Sequence, residues 1–394
     1  MIGSKEQQKQ AEKSTLSPIT IELLPYFEQA EAARRWQELE QRVKNTDLTN
    51  SWVWTRIWLE HHHDSMQPVF AFGRRDNQVV GATLVVTDSY TRKSLPMLPI
   101  ARVYIGTGEY TKYNRLLVAP EDQGSFALAL IQAVQREFRW SELHFDGFAP
   151  EHGEALLRAG KDSDLLFRVQ EDKSPAFDFQ LAIDDGHQDI ISALGKNTRY
   201  NLRRSSRLFN EKYGQQSREW AETPEQAKDI LKELIELNKK RWARLNQAGS
   251  FDQPSIISYH LALIDELKLW PQGSVIVFRV KAGETTLGCI FHFVENEQLL
   301  FSKSGINQFE DAKLKPGLLT HLACMEECWR RSFAQKQLGK PGIARYDFLS
   351  GEGSGQYKDS LSNREGYLLS ATAERGILLW LMGGARRVKN TLKK

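Results

Sequence analysis

The sequence has no apolar stretch long enough to cross a bilayer. The longest run, 377–382, is six residues, against about 20 for a helical span. Cysteine is scarce. Cys289, Cys324 and Cys328 are an odd, sparse set that builds no disulfide framework and fits a reduced, cytoplasmic protein. With 27 glycines and 13 prolines in 394 residues, the chain is neither fibrous nor low-complexity. A strong excess of one charge is also missing, since 53 basic and 50 acidic residues leave a net charge of +3. Six basic residues fall from Arg375 onward with no acid among them, so the body is mildly acidic and DNA is not an expected partner. Residues 1–18 have no apolar core and do not read as a secretory signal. The G-x-S-x-G elbow, the Walker loop and the H-E-x-x-H motif are absent, and the glycines at 351, 353 and 355 have the wrong spacing for a dinucleotide fingerprint.

The chain is 41% apolar and 26% charged, as in a soluble globular protein. Its length corresponds to two domains at roughly 150 residues each. Helical periodicity runs through Ala33, Trp36, Leu39 and Val43, and again through Trp54, Ile57, Trp58 and His61. Alternating segments at 69–73 and 79–87 flank an Arg-Asp-Asn turn and predict a hairpin. A helix at 124–138 and a strand at 142–148 follow. The second half repeats this order. It has a helix over 189–213 interrupted near Gly195, and a helix opened by Thr223-Pro224-Glu225-Gln226, which reads as a capping box. Three strands (275–280, 286–294, 298–304), a helix from Pro316 and strands at 344–349 and 367–373 complete it.

Four segments carry candidate chemistry. Lys313, Lys315, Pro316, Gly317 and Leu318 join a strand-rich stretch to a helix. Free N–H groups and two lysines there fit a phosphate, and the same residues fit a plain helix start. Asp347 alternates with Tyr346 and Phe348 on a strand and needs a partner or a function. With Tyr357 and Lys358 beyond a Gly-rich loop, it makes a base, a phenol and an ammonium suited to an acceptor amine or hydroxyl. The alternative is an Asp bound to loop amides. Lys196, Arg199, Arg203, Arg204 and Arg207 form a basic helix, with Arg199 and Arg203 one turn apart. They bind phosphate, carboxylate or RNA, or simply form a solvated face. The run 377–382 followed by five basic residues fits an interfacial anchor on an anionic membrane, or a packed terminal helix with a solvated tail. No metal site is expected, because His61, His62 and His63 are successive and point about 100° apart on a helix. His321, Cys324 and Cys328 share a stripe with Leu318, Leu322 and Met325 that reads as core, and His292 reads as a satisfied core histidine rather than a base.

The second half resembles the GNAT-superfamily acyltransferases of the CelD-like (cellulose-biosynthesis acetyltransferase) group, related in architecture to the FemAB-type peptidoglycan aminoacyltransferases. The resemblance lies in the basic helix 196–204, in Leu314-Lys315-Pro316-Gly317-Leu318-Leu319, and in Asp347-Phe348-Leu349-Ser350-Gly351 followed by Tyr357-Lys358. Glu109-Tyr110-Thr111-Lys112-Tyr113-Asn114 is similar to a first-half segment of these proteins. The general GNAT cofactor signature is absent, and Lys-Leu-Lys-Pro-Gly stands in its place.

The resemblance implies an α/β (α+β) protein of two tandem GNAT-like domains, each a mixed, largely antiparallel sheet flanked by helices. The boundaries expected are a disordered lead at 1–20, an N-terminal domain at 21–175, a C-terminal acyltransferase domain at 176–373 and a basic tail at 374–394. It implies acyl transfer from acyl-CoA (acetyl-CoA) to an amine or hydroxyl of an envelope sugar or exopolysaccharide precursor, without a metal. Asp347, Tyr357 and Lys358 would be catalytic, and Lys313, Lys315, Gly317 and Leu318 would hold the donor. Arg199, Arg203, Glu109 and Tyr113 would meet the acceptor. The other readings are an aminoacyl-tRNA-dependent transferase and a non-catalytic GNAT-fold binding protein. Localisation is expected to be cytoplasmic, with peripheral membrane contact through the basic tail.

Overall fold

The structure is a computed structural model that describes residues 17–43, 46–62, 66–92, 95–107, 112–349 and 356–375. They fall into two compact units. One contains the described residues up to Thr55, those of 63–171 and those from Leu369 on. The other contains 56–62 and the described residues of 172–368. Glu109, the Gly-rich loop 350–355 and the basic C-terminal run lie outside the described residues.

In the first unit, β1 (Thr20–Pro25), β2 (Gln67–Arg75), β3 (Gln78–Arg92) and β4 (Leu95–Ile105) pair antiparallel in sequence order. The β2–β3 hairpin turns on Asp76 and Asn77, at φ 47° and 66°. Asp and Asn tolerate this left-handed region better than most residues, which is why the turn was legible as such. α1 (Gln29–Arg42) buries Ala32, Trp36 and Leu39 at helical spacing. Beyond α2 (Trp52–His62), of which only the residues up to Thr55 belong to this unit, the short β5 (Leu117–Val118) joins β3. α3 (Gln123–Glu137) then carries the chain over to β6 (Glu142–Phe148), which runs parallel to β4. α4 (Pro150–Asp162) follows. From α3, Phe126, Leu130, Ile131 and Val134 pack with Phe145, Phe148 and Leu369. Asp122, the residue capping α3, is ion-paired with Arg75 at 2.6 Å.

In the second unit, the last residues of β7 (Phe167–Asp178) lead into α5 (Phe179–Asp184), α6 (Ile190–Ala193) and α7 (Lys196–Tyr213). Then come β8 (Gln216–Trp220), α8 (Pro224–Arg244), α9 (Pro254–Leu267), β9 (Val275–Ala282), β10 (Thr285–Glu295) and β11 (Gln298–Ile306). α10 (Pro316–Gln337), β12 (Arg345–Asp347), α11 (Gln356–Ser360) and the start of β13 (Arg364–Glu374) complete it. β8, β9, β10 and β11 are successive antiparallel neighbours. β12 lies parallel to β11 and antiparallel to the end of β7. Each unit therefore has a mixed, largely antiparallel sheet flanked by helices.

Two details of the second unit position its site. The β11–β12 pairing spans only Gln298–Arg345, Leu299–Tyr346 and Leu300–Asp347, while β11 continues to Ile306. The strands part there and open a wedge. α8 lies directly on the β11 backbone. A Cβ at Gly305 would stand 2.2 Å from the Leu234 carbonyl oxygen, and the Asn238 amide donates to the Ser304 carbonyl at 2.8 Å. Only glycine allows that approach. Among the described residues no helix is long and apolar enough to cross a membrane.

Candidate active site

A cavity of about 560 Å³ occupies the wedge. Its wall takes Ser304 and Ile306 from β11, Leu314–Leu318 from the α10 start, Asn197 and Asn201 from α7, Arg241 from α8, and Tyr357 and Ser360 from α11. His321 also lines it.

The α10 start is built by local chemistry. Asp311 accepts from the Lys313 N–H at 3.0 Å and from the Lys212 ammonium at 2.9 Å, which fixes the turn. Leu314 is buried, and the Lys315 N–H donates to Ser205 Oγ at 2.8 Å, tying the turn to α7. Lys315 caps the helix without a side-chain bond to its N–H groups, and no acid stands in the first turn. The Gly317 and Leu318 N–H groups begin the helix, where backbone donors and the dipole attract an anion. Gly317 has ordinary φ and space. An added Cβ would meet nothing nearer than Ile306 at 3.7 Å. Of the four expected donor-side residues, Lys315, Gly317 and Leu318 line the cavity, and Lys313 is exposed outside its wall.

Asp347, Tyr357 and Lys358 are neighbours with distinct roles. Asp347 is 2% exposed. Its Oδ1 accepts from Ser174 Oγ and from the Leu349 N–H, both at 2.7 Å. The Lys358 ammonium donates to the carbonyls of Phe348 and Leu349 at 2.8 and 2.7 Å. Burial lowers the Lys358 pKa, and the charges of Asp347 and Asp359 oppose that shift. These bonds clamp the chain leaving β12 to α11, and the clamp sets Tyr357 in the cavity wall. Burial raises the Tyr357 pKa, against the pull of Arg241, so the phenol keeps its proton at neutral pH.

Of the expected acceptor-side residues, the described ones, Arg199, Arg203 and Tyr113, are not gathered in this wall. The Arg199 guanidinium donates to the Ser192 carbonyl at 2.9 Å. Arg203 lines a second cavity of about 590 Å³, with Arg207, Arg218 and an apolar floor of Leu202, Leu319 and Leu322. One turn apart on α7, the two arginines thus serve different surroundings. Tyr113 belongs to the first unit, at φ 59°, and its carbonyl accepts from Thr49 Oγ1 at 2.6 Å.

Three residues of this region escaped the sequence reading as site residues. Arg241 is a second cavity cation from a helix with no motif. His321 is buried, as its stripe implied, yet lines the cavity, and Tyr346 beneath it bonds both His321 and His292. Burial, with the nearby Lys358 charge adding to it, pushes the His321 pKa down to about 3. The imidazole is therefore neutral.

Residues 196–359 match the family described as the acetyltransferase (GNAT) domain. The second unit thus carries a GNAT acyltransferase domain, and the protein is an acyltransferase. Two solved structures share the fold at low identity, and a third stands beside them at a lower TM-score. FemX has a TM-score of 0.54 and 13% identity over 89% of this chain and 98% of its own. The C-terminal domain of an Agrobacterium fabrum protein assigned as a lysylphosphatidylglycerol synthetase has a TM-score of 0.50 and 12% identity, covering 90% of this chain and 96% of its own. A tandem GNAT protein from the clavulanic acid biosynthesis pathway has a TM-score of 0.43 and 14% identity over 90% and 99% of the two chains. No curated protein matches the sequence.

Proposed function

We propose that the protein transfers an acyl group from acyl-CoA to an amine or hydroxyl of an envelope- or exopolysaccharide-related acceptor. The observation that carries the donor side is the α10 start opening into the wedge between β11 and β12. There the Gly317 and Leu318 N–H groups, the Lys315 cation and Arg241 surround one cavity. Two cations and a helix N-terminus fit the phosphates of a coenzyme, and the space over Gly317 lets a ligand approach the backbone. When bound, acyl-CoA supplies an acyl group activated as a thioester. The Tyr357 phenol, which keeps its proton at neutral pH, would give that proton to the leaving thiolate. Asp347 and Lys358 hold the phenol in place, and no protein nucleophile is required.

Calorimetry with CoA and acetyl-CoA tests this reading, with micromolar binding expected and a tenfold or greater loss in Lys315→Ala. Failure of both ligands to bind the folded protein would end it. Asp347→Asn tests the clamp. Full turnover in a folded variant would show that the carboxylate charge is dispensable. A second reading, with charged tRNA as donor, rests on the basic outer face of α7, where Arg203 and Arg207 are exposed. Retention of charged tRNA on filters, with no binding of CoA, would favour it.

A further inference from the structure

His292 on β10, Tyr346 on β12 and His321 on α10 converge on one phenolic oxygen. Tyr346 Oη is 2.8 Å from His292 Nε2 and 2.7 Å from His321 Nδ1. The three residues are at most 1% exposed. A phenol has one proton. It donates to an imidazole in preference to the weakly accepting Cys324 sulfur, so it accepts an N–H from the other imidazole, which leaves two arrangements.

If Tyr346 donated to His292 Nε2, the His292 proton would sit on Nδ1. That atom is buried without a hydrogen-bond partner. A buried N–H with no acceptor is the rarer defect in folded proteins. In the opposite arrangement His292 Nε2–H donates to Tyr346, Tyr346 donates to His321 Nδ1, and the unpartnered atom is a bare lone pair. The Cys324 thiol beside the phenol is a weak donor and acceptor and does not decide the direction. With its Nδ1 occupied by the phenol proton, a neutral His321 carries its own proton on Nε2.

We infer that the His292–Tyr346–His321 chain fixes His321 as a neutral donor whose Nε2–H serves the cavity, where it meets the acyl carbonyl oxygen of the donor. The identity of that ligand rests on the proposed function; the tautomer does not. His321 is then a donor to developing negative charge rather than a general base, and Tyr346 and His292 are positioning residues. Burial and the Lys358 charge, which keep His321 neutral, agree with this.

The tautomer is read directly from the ¹⁵N side-chain signals of the histidines at pH 7, with His321→Gln assigning the resonance. A protonated Nε2 and bare Nδ1 on His321 are expected, and Tyr346→Phe should mix the tautomers. A proton on Nδ1, or an imidazolium, would overturn the inference even if CoA binds. The second readout is affinity for acetyl-CoA against CoA. In His321→Ala the acetyl-CoA affinity should fall roughly 3- to 10-fold with CoA affinity unchanged, and Gln, which keeps an N–H, should restore part of it. Equal losses for both ligands would overturn the contact with the acyl oxygen. Absence of any CoA binding to the wild-type protein would instead defeat the donor assignment and leave the tautomer result standing.

Discussion

The two units use one construction with opposite charge at its critical point. In each, a helix carries the chain from an antiparallel strand to a parallel neighbour: α3 between β4 and β6, and α10 between β11 and β12. The residue capping α3 is Asp122, a carboxylate at the positive end of a helix and paired with Arg75. The residue capping α10 is Lys315. A cation at that end opposes the helix dipole, at a cost of about 0.3–1 kcal/mol. The first unit obeys the local rule and closes its helix start with its own ions. The second breaks the rule beside a cavity. Local rules are most often broken where a ligand completes the balance.

The histidines make the largest expected difference. Burial lowers the pKa of His62, His260, His292 and His321 in the second unit, with His260 and His321 pushed to about 3. In the first unit, among the described residues, His152 is lowered to about 4. An unfolded chain takes up these protons below about pH 6.5 and the folded one does not, so stability is full above that pH and falls as pH drops. Each group contributes about 1.4 kcal/mol per pH unit across its own window. Hydrogen-exchange protection at pH 7 and pH 4.5 should show α10 and β10 loosening before α3 and β6. The reverse order would break the comparison.

Charge reversal comes next. Lys315→Glu gives α10 the cap sign of α3, and CoA affinity should fall about 100-fold or more in calorimetry. Asp122→Asn should leave that affinity alone and lower stability by about 1–3 kcal/mol, read by denaturant melting, because it strands Arg75. Gly317→Ala should weaken CoA binding about tenfold without lowering the melting temperature. Its first-unit counterpart, Gly124→Ala, meets nothing within 4 Å. It should do the least, stabilising the protein by roughly 0.5–1 kcal/mol with no effect on binding.

What the sequence disclosed follows from how far apart the interacting parts lie. The β2–β3 hairpin, α3, α7, α8, the β9–β11 meander and α10 were legible because their periodicity, caps and turns are local. The isolated charges of Lys315 and Asp347 were visible against apolar neighbours. β1, α4, β7, α9 and α11 were not read. β1 has six residues and α11 five, too short for periodicity to build, and the apolar residues of α9 carry no start signal beyond Pro254. Ser174, the partner of Asp347, is 173 positions away. His321 was legible as core and correctly so, but the phenol that orients it lies on another strand. Proximity to a cavity leaves no mark on the stripe itself.

Gly305 and Gly317 lie twelve positions apart on one strand-to-helix connection and are held by different constraints. At Gly305 any side chain collides with the α8 backbone before a ligand is involved. At Gly317 the folded protein has room to spare. In a library of all substitutions scored separately for cellular abundance and for catalytic output, position 305 should fail both scores. Position 317 should fail output alone for its smaller substitutions. Two identical letters in the sequence would then separate into one that selection keeps for folding and one that it keeps for turnover.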